Sequence, residues 1–203
     1  ILEASSERIA PEEKNYLATS PWQMMTFEAE NKYKKSIVEE LFAHEKVVLP
    51  VSMEAINDGR QWQYRNKMEY SFWGDDEGLR LALYRRGSHG KQIVQGSKLA
   101  MPTVDAAAEA VLAELQRLNV RAGELKTIIV RSGQDGTSVA SLFVKPESFP
   151  ELTLPAGLKG LRVYHSNPKS PASVPTKLLY ELGDVRLQDS LVTKQFTYDS
   201  DSF

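Results

Sequence analysis

An alternation of apolar and polar residues from Gln61 to Trp73 constrains the fold of this chain more than any other feature. One parity is mainly apolar and the other is polar, as in a strand with one buried side and one solvent-facing side. The apolar set is Trp62, Tyr64, Met68, Tyr70 and Phe72, and the polar set is Gln61, Gln63, Arg65, Lys67, Glu69 and Ser71. A turn sequence follows at 75–78, and alternating leucines at 79, 81 and 83 predict the return strand of a long β-hairpin.

Two helices and several short strands are predicted around this hairpin. Thr26 is a suitable N-cap for a helix over about 27–45, and Pro102 opens a second helix over about 104–119. Further strands are predicted at 92–95, 127–131, 138–144, 161–165, 177–182, 185–187 and 196–198, with 177–182 paired to 185–187. Hairpins with one packed helix indicate an α+β fold. We expect an antiparallel, hairpin-rich, barrel-like central domain, with the N-terminal helix outside it.

The absence of cysteine excludes several kinds of site. Without a thiol, this sequence cannot form disulfides, cysteine-ligated zinc, iron–sulfur clusters or a cysteine nucleophile. The three histidines, His44, His89 and His165, lie far apart in sequence, so no metal site is expected from them. No stretch approaches the roughly 20 apolar residues of a membrane span, and the first residues lack a signal-peptide pattern. We therefore expect a cytoplasmic protein without membrane association.

Basic residues are concentrated in the predicted hairpin. The whole chain has a formal net charge of −2. Residues 60–91 nevertheless carry seven basic and four acidic side chains, whereas residues 1–59 carry six and eleven. Three of the four acids in the hairpin lie together in the turn at 75–77. A local excess of this kind is typical of phosphate contact with a nucleic acid, and also of an ordinary solvated strand face.

Three segments, taken in order, carry a resemblance to a known family. Ser20-Pro21-Trp22-Gln23 leads into a helix that ends Ile37-Val38-Glu39-Glu40-Leu41. Tyr64-Arg65-Asn66-Lys67 is followed by a hairpin and a return strand of the type Leu-x-Leu-x-Arg-Arg-Gly. The last segment, 196–203, resembles the approach to a Ser-Phe-x-Gln-Val-Asn sequence. Together these features resemble the S-adenosylmethionine-dependent RNA 5-methyluridine methyltransferases, over nearly the whole chain.

The resemblance implies a division of the chain. Residues 1–25 would be an extended lead-in in the place of the family's cluster loop, and residues 26–54 a helix and linker that pack on a methyltransferase domain. Residues 55–198 would form the central RNA-binding domain, and residues 199–203 the start of the methyltransferase domain. Many family members hold an iron–sulfur cluster on four cysteines near the positions of residues 12–20 and 97. Because none of these is cysteine here, the resemblance implies a branch without the cluster.

The resemblance also implies that methyl transfer belongs to a longer parent protein. In the family, a cysteine thiolate adds to carbon 6 of uracil, carbon 5 attacks the methyl group of S-adenosylmethionine, and a carboxylate helps remove the hydrogen. This chain has neither a cysteine nor a glycine-rich loop suited to the cofactor. We expect the parent to be an RNA (uracil-5-)-methyltransferase acting on ribosomal or transfer RNA. The 203-residue chain itself is expected to be inactive and to bind no cofactor.

Six residues are predicted to face RNA: Arg65, Lys67, Trp73, Arg85, Arg86 and Phe203. Arg65 and Lys67 share the polar parity of the long strand and would contact phosphates, as would the two later arginines unless they belong to a solvated face. Trp73 also has the polar parity, so it is a candidate for stacking on a base or for packing under a loop. Phe203 matches by position an aromatic residue that in the family lies near the RNA bases.

Two alternatives to an enzyme's RNA-binding part remain open from the sequence. The chain could be a complete small RNA-binding or scaffold protein, or a protein-interaction domain whose basic hairpin is incidental. Tyr64 and Trp62 have the apolar parity and are predicted to be core residues. The first helix presents Tyr33, Ile37 and Leu41 without a local partner. That face is expected to be exposed or covered by another chain, for example in a dimer.

Overall fold

A computed structural model describes residues 3–54 and 56–202 of the chain, which divides into two units between Trp62 and Gln63. The first unit contains helix α1 (Tyr16–Thr19), a 3₁₀ turn (Pro21–Met24) and helix α2 (Phe27–His44). The second contains helix α3 (Pro102–Arg117), a 3₁₀ turn (Ala122–Glu124) and nine strands. The strands are β1 (Lys67–Asp75), β2 (Gly78–Tyr84), β3 (Lys91–Ile93), β4 (Leu125–Ser132), β5 (Ser138–Val144), β6 (Leu158–His165), β7 (Lys177–Gly183), β8 (Arg186–Leu191) and β9 (Lys194–Asp199).

Helix α2 begins where the sequence predicts. The Thr26 hydroxyl accepts a hydrogen bond from the Ala29 amide at 3.2 Å, which satisfies one of the free amides at the helix start. The preceding segment is more regular than the predicted extended lead-in, because residues 16–24 form two short helical turns. On α2, Ile37 and Leu41 are more than half exposed. Contact of this face with another chain, including a dimer, stays a prediction.

Seven strands form one open sheet in the order β3-β2-β1-β4-β5-β6-β7, and β8 pairs with β9 separately. The α+β class and the single packed helix of the central region are therefore confirmed. The barrel-like closure is not found, since β3 and β7 lie at opposite edges of the sheet. All neighbours are antiparallel except β5 and β6. These two strands are joined by residues 145–157, a proline-containing crossover instead of a tight hairpin.

Helix α3 packs against one face of the sheet and forms the main core. Its buried residues are Val104, Ala107, Ala108, Val111, Leu112 and Leu115. Met68, Tyr70 and Phe72 of β1 are buried, as are the three alternating leucines of β2, so this part of the predicted hairpin is confirmed. The Tyr70 hydroxyl donates to the Asp105 carboxylate of α3, and that carboxylate also accepts the Ser97 amide at 2.9 Å. The opposite face carries Lys67, Glu69, Trp73, Tyr84 and Lys91, and we call it the polar sheet face.

The predicted start of the long strand is wrong. Strand β1 begins at Lys67 and not at Gln61, because Gln63 adopts a left-handed backbone with φ of 55°. The residues just before β1 instead run beside 98–101, with the Arg65 amide donating to the Leu99 carbonyl at 2.8 Å. Tyr64 is consequently 44% exposed and is not a core residue. One signal in the sequence points to this, since Asn66 is a polar residue at a position of buried parity.

The predicted pairing of 177–182 with 185–187 is also wrong. Strand β7 pairs with β6, and β8 pairs with β9. Gly183 has a φ of 70° and lies opposite Gly160. A side chain at either glycine would overlap the neighbouring backbone. This close approach holds the end of β7 against β6, and β8 takes a new partner after the intervening turn.

Candidate nucleic-acid interface

The exposed Tyr64 and the half-buried Arg65 form an aromatic and cationic pair just before β1. The guanidinium carbon of Arg65 lies 5.9 Å from the centroid of the Tyr64 ring, within the range of a cation–π contact. The main chain fixes the pair, because the Met101 amide donates to the Arg65 carbonyl at 2.9 Å. Arg65 therefore has a defined place just before the strand, although the sequence predicts it within the strand. Tyr64 is a candidate that the strand-parity reasoning missed.

Lys67 and the two later arginines lie at the same end of the hairpin. Strands β1 and β2 are antiparallel, so the start of β1 and the end of β2 are neighbours. Lys67 is the exposed first residue of β1. Arg85 and Arg86 are exposed in the loop at 85–90, which the Arg85 amide closes by donating to the Gly90 carbonyl at 2.8 Å. The structure therefore brings these three predicted residues to one end of the polar sheet face.

Trp73 lies at the other end of the hairpin. Six residues of extended chain separate it from Lys67, which corresponds to roughly 20 Å along the strand. Its indole nitrogen donates to Asp75 at 2.9 Å, and Arg80 forms ion pairs with both Asp75 and Glu77. Trp73 is therefore exposed beside a turn of net negative charge, and it does not join the basic group. Phe203, the last predicted site residue, lies outside the described residues.

The basic residues of 60–91 differ in how they are neutralised. Arg60 pairs with Asp58, and Arg80 pairs with the acids of the hairpin turn. The other five have no carboxylate within ion-pair distance in residues 3–54 and 56–202: Arg65, Lys67, Arg85, Arg86 and Lys91. The three acids at 75–77 outnumber Arg80 and make the turn end net negative, so the unpaired positive charge lies at the opposite end. Such uncompensated cations can hold phosphates without reading sequence.

The C-terminal segment 199–202 covers another part of the sheet, on β4 to β6. Arg162 donates to Asp201 at 2.7 Å and to Asp199 at 3.0 Å, while its Nε donates to Glu181 at 2.7 Å. The buried Arg131 donates to the Ser200 carbonyl at 3.2 Å. Burial and a hydrogen bond to Asp201 together raise the pKa of Tyr164 to about 12, so its hydroxyl stays a donor. These cations are already occupied within the chain, unlike those at the start of β1.

The region that the resemblance aligns with a cluster loop holds a buried polar network in this chain. Thr19 donates to the Glu13 carboxylate at 2.7 Å, and the Gln23 amide donates to Thr19 at 2.9 Å. Across the described part of the chain, no group of three or more histidine, aspartate or glutamate residues is placed to hold a metal ion. None of the helices described has the length and apolar character of a membrane span.

Comparison with known proteins gives a likeness of fold. No family model matches the sequence, and no curated protein matches it. The solved structure of the Pyrococcus abyssi tRNA (uracil-54, C5)-methyltransferase, in complex with S-adenosyl-L-homocysteine, superposes with a TM-score of 0.74 at 13% sequence identity. The match covers 100% of this chain and 48% of that chain. At this identity the match shows the fold alone, and this chain spans about half the length of the protein it resembles.

Proposed function

We propose that this chain is the RNA-binding part of a larger, S-adenosylmethionine-dependent RNA (uracil-5-)-methyltransferase. One observation carries the RNA-binding proposal. Five cations within residues 60–91 lack carboxylate partners among the described residues. Two of them lie at the start of β1 beside the exposed Tyr64, and two lie in the loop after β2. Phosphates supply the missing negative charge, and an exposed ring supplies a stacking surface for a base.

The methyltransferase part of the proposal rests on the fold and on the sequence motifs together. The structure with the similar fold is named as a tRNA methyltransferase and contains S-adenosyl-L-homocysteine. This chain has no cysteine for attack on uracil, so we assign the chemistry and the cofactor to other parts of the parent. Ribosomal and transfer RNA are both candidate substrates, and transfer RNA is the first to test. The coding sequence after Phe203 tests this assignment. A continuation with Gln-Val-Asn, a glycine-rich loop and a later cysteine supports it, and a stop codon there contradicts it.

Replacing Arg65 and Lys67 together with alanine is expected to weaken binding to a transfer RNA without unfolding the protein. Each lost phosphate interaction should reduce the slope of log affinity against log salt concentration by about 0.7–0.9, so the double variant should lose about 1.4–1.8. Fluorescence anisotropy at several salt concentrations measures both the affinity and this slope. Circular dichroism checks that the variant is folded.

Lys177→Ala is the matched control for this experiment. Lys177 is an exposed lysine of β7, at the far edge of the sheet. Its replacement removes one charge but should leave the affinity and the salt slope almost unchanged. If the double variant and the control weaken binding equally, the cations at the start of β1 are not the RNA surface. If the unaltered protein shows no RNA binding that weakens with salt, the protein-interaction alternative gains support.

A further inference from the structure

A cleft on the polar sheet face adjoins the basic loop at 85–90. It has a volume of about 390 Å³, within the roughly 300–1,000 Å³ typical of small-molecule sites. Tyr84 and Lys91, at the two ends of that loop, form one side, and Lys126 and Lys145 form another. The segment 168–173 closes the cleft as a wall.

The wall is fixed by the ammonium end of Lys126. This group donates to the carbonyls of Ala172 at 2.7 Å and of Asn167 and Ser170 at 3.1 Å. The hydroxyl of Thr127 adds a hydrogen bond of 2.6 Å to Ser173. These hydrogen bonds hold the loop in place, so the cleft exists before any ligand arrives.

The charge of the cleft is not balanced by the residues around it. Lys91, Lys126 and Lys145 contribute three cations, and Glu69 is the one carboxylate among the lining residues described. None of the three lysines forms an ion pair in the described ranges of the chain. Burial lowers the pKa of Lys126, and the charge of Lys145 lowers it further. A bound anion would favour the charged form of Lys126 and so raise its pKa again.

Tyr84 supplies an aromatic surface next to these cations. The side chain is 52% exposed, and the Lys91 ammonium lies 5.3 Å from its ring centroid while donating to the Phe72 carbonyl at 3.0 Å. Lys145 donates to the Gly123 carbonyl at 2.8 Å, and an ammonium group has three donors. Both lysines line the cleft and retain donors for a phosphate.

We propose that this cleft receives one unpaired nucleotide of the bound RNA, with its phosphate between Lys91 and Lys145 and its base against Tyr84. The proposal rests on the RNA-binding function proposed above and adds a preference for single-stranded RNA. An exposed ring can stack on a base only when that base is free of its duplex partner. Arg85 and Arg86 of the adjoining loop would bind phosphates of the RNA next to that nucleotide.

The test compares a single-stranded uridine-rich RNA octamer with an RNA duplex of the same length. Tyr84→Leu is expected to weaken octamer binding about 5- to 100-fold and to leave duplex binding nearly unchanged. Tyr84→Phe keeps the ring and should bind the octamer as the unaltered protein does. Lys145→Gln should lower the octamer's salt slope by about 0.7, whereas Lys177→Gln should not.

The outcomes separate this inference from the proposed function. If the unaltered protein binds RNA with a salt-dependent affinity, but Tyr84→Leu and Lys145→Gln bind the octamer equally well, the cleft proposal is overturned and the RNA-binding function stands. If the unaltered protein binds neither RNA, both proposals fail. Loss of binding to octamer and duplex alike in folded Tyr84→Leu would also overturn the single-strand preference.

Discussion

Tyr70→Ala is expected to lower the free energy of unfolding by about 3–5 kcal/mol, the range for removing a buried aromatic ring. Tyr70 is fully buried between the sheet and α3, and its hydroxyl donates a hydrogen bond to the Asp105 carboxylate. The substitution removes the ring from the core and takes away one hydrogen-bond donor to that carboxylate. Urea unfolding followed by circular dichroism measures the change.

Tyr64→Ala is the matched comparison for this prediction. Both tyrosines have the same parity in the sequence, and both are predicted from it to be core residues. Because Tyr64 is 44% exposed, its replacement should cost less than about 1 kcal/mol. Tyr70→Phe separates the two contributions, since it keeps the ring and removes the hydroxyl, at an expected cost of about 1–2 kcal/mol. An equal loss of unfolding free energy in Tyr70→Ala and Tyr64→Ala would contradict the exposed position of Tyr64 before β1.

Arg162→Ala is expected to destabilise the second unit by about 2–3 kcal/mol. Breaking a buried ion pair costs about 3–5 kcal/mol, and the partial exposure of the three carboxylate partners reduces that figure. The variant leaves Glu181, Asp199 and Asp201 without their shared donor. Arg162→Lys retains the charge but lacks the planar fork, so it should recover only part of the stability. Urea unfolding at pH 7 provides the comparison.

The pH dependence of this destabilisation follows from Asp199. Partial burial alone would raise the pKa of Asp199, but hydrogen bonds from Arg162, the Asp201 amide and Ser202 outweigh burial and lower the pKa below its usual 3.8. The stabilisation is thus fully present above the unfolded-state pKa and is lost as pH falls through the lower folded-state pKa. The difference between the unaltered protein and Arg162→Ala should shrink below about pH 4. A difference that grows on acidification would contradict the role assigned to this cluster.

The regular parts of the fold are predictable because local patterns determine them. Helix α2 follows from an N-cap threonine and a periodic stripe, and β2 follows from three alternating leucines after a turn. The parallel pairing of β5 with β6 is not visible in the sequence, because strand partners across a crossover depend on tertiary packing. The left-handed residue Gln63 is equally hidden, since glutamine shows no preference for that conformation.

The candidate site is predictable where its residues lie together in sequence. The arginines and lysine of the hairpin stand out by local charge, and the structure brings four of the six predicted positions to one end of it. Trp73 shares the polar parity of Lys67 but lies at the other end of the hairpin. Parity predicts the face of a strand on which a residue lies and not its position along the strand. The cleft escaped prediction because Lys91, Lys126 and Lys145 are spread along the sequence and meet only after β1 and β4 have paired.

The reactivity of individual lysines toward an acylating reagent, with and without transfer RNA, tests most directly whether the polar sheet face meets RNA. Mass spectrometry reports the modification of each lysine. We expect RNA to protect Lys67, Lys91 and Lys145, and we expect Lys159 and Lys177 to react as they do in the free protein. Protection of Lys159 and Lys177 with no change at Lys67 and Lys91 would contradict this assignment, because RNA would then bind away from the basic end of the hairpin.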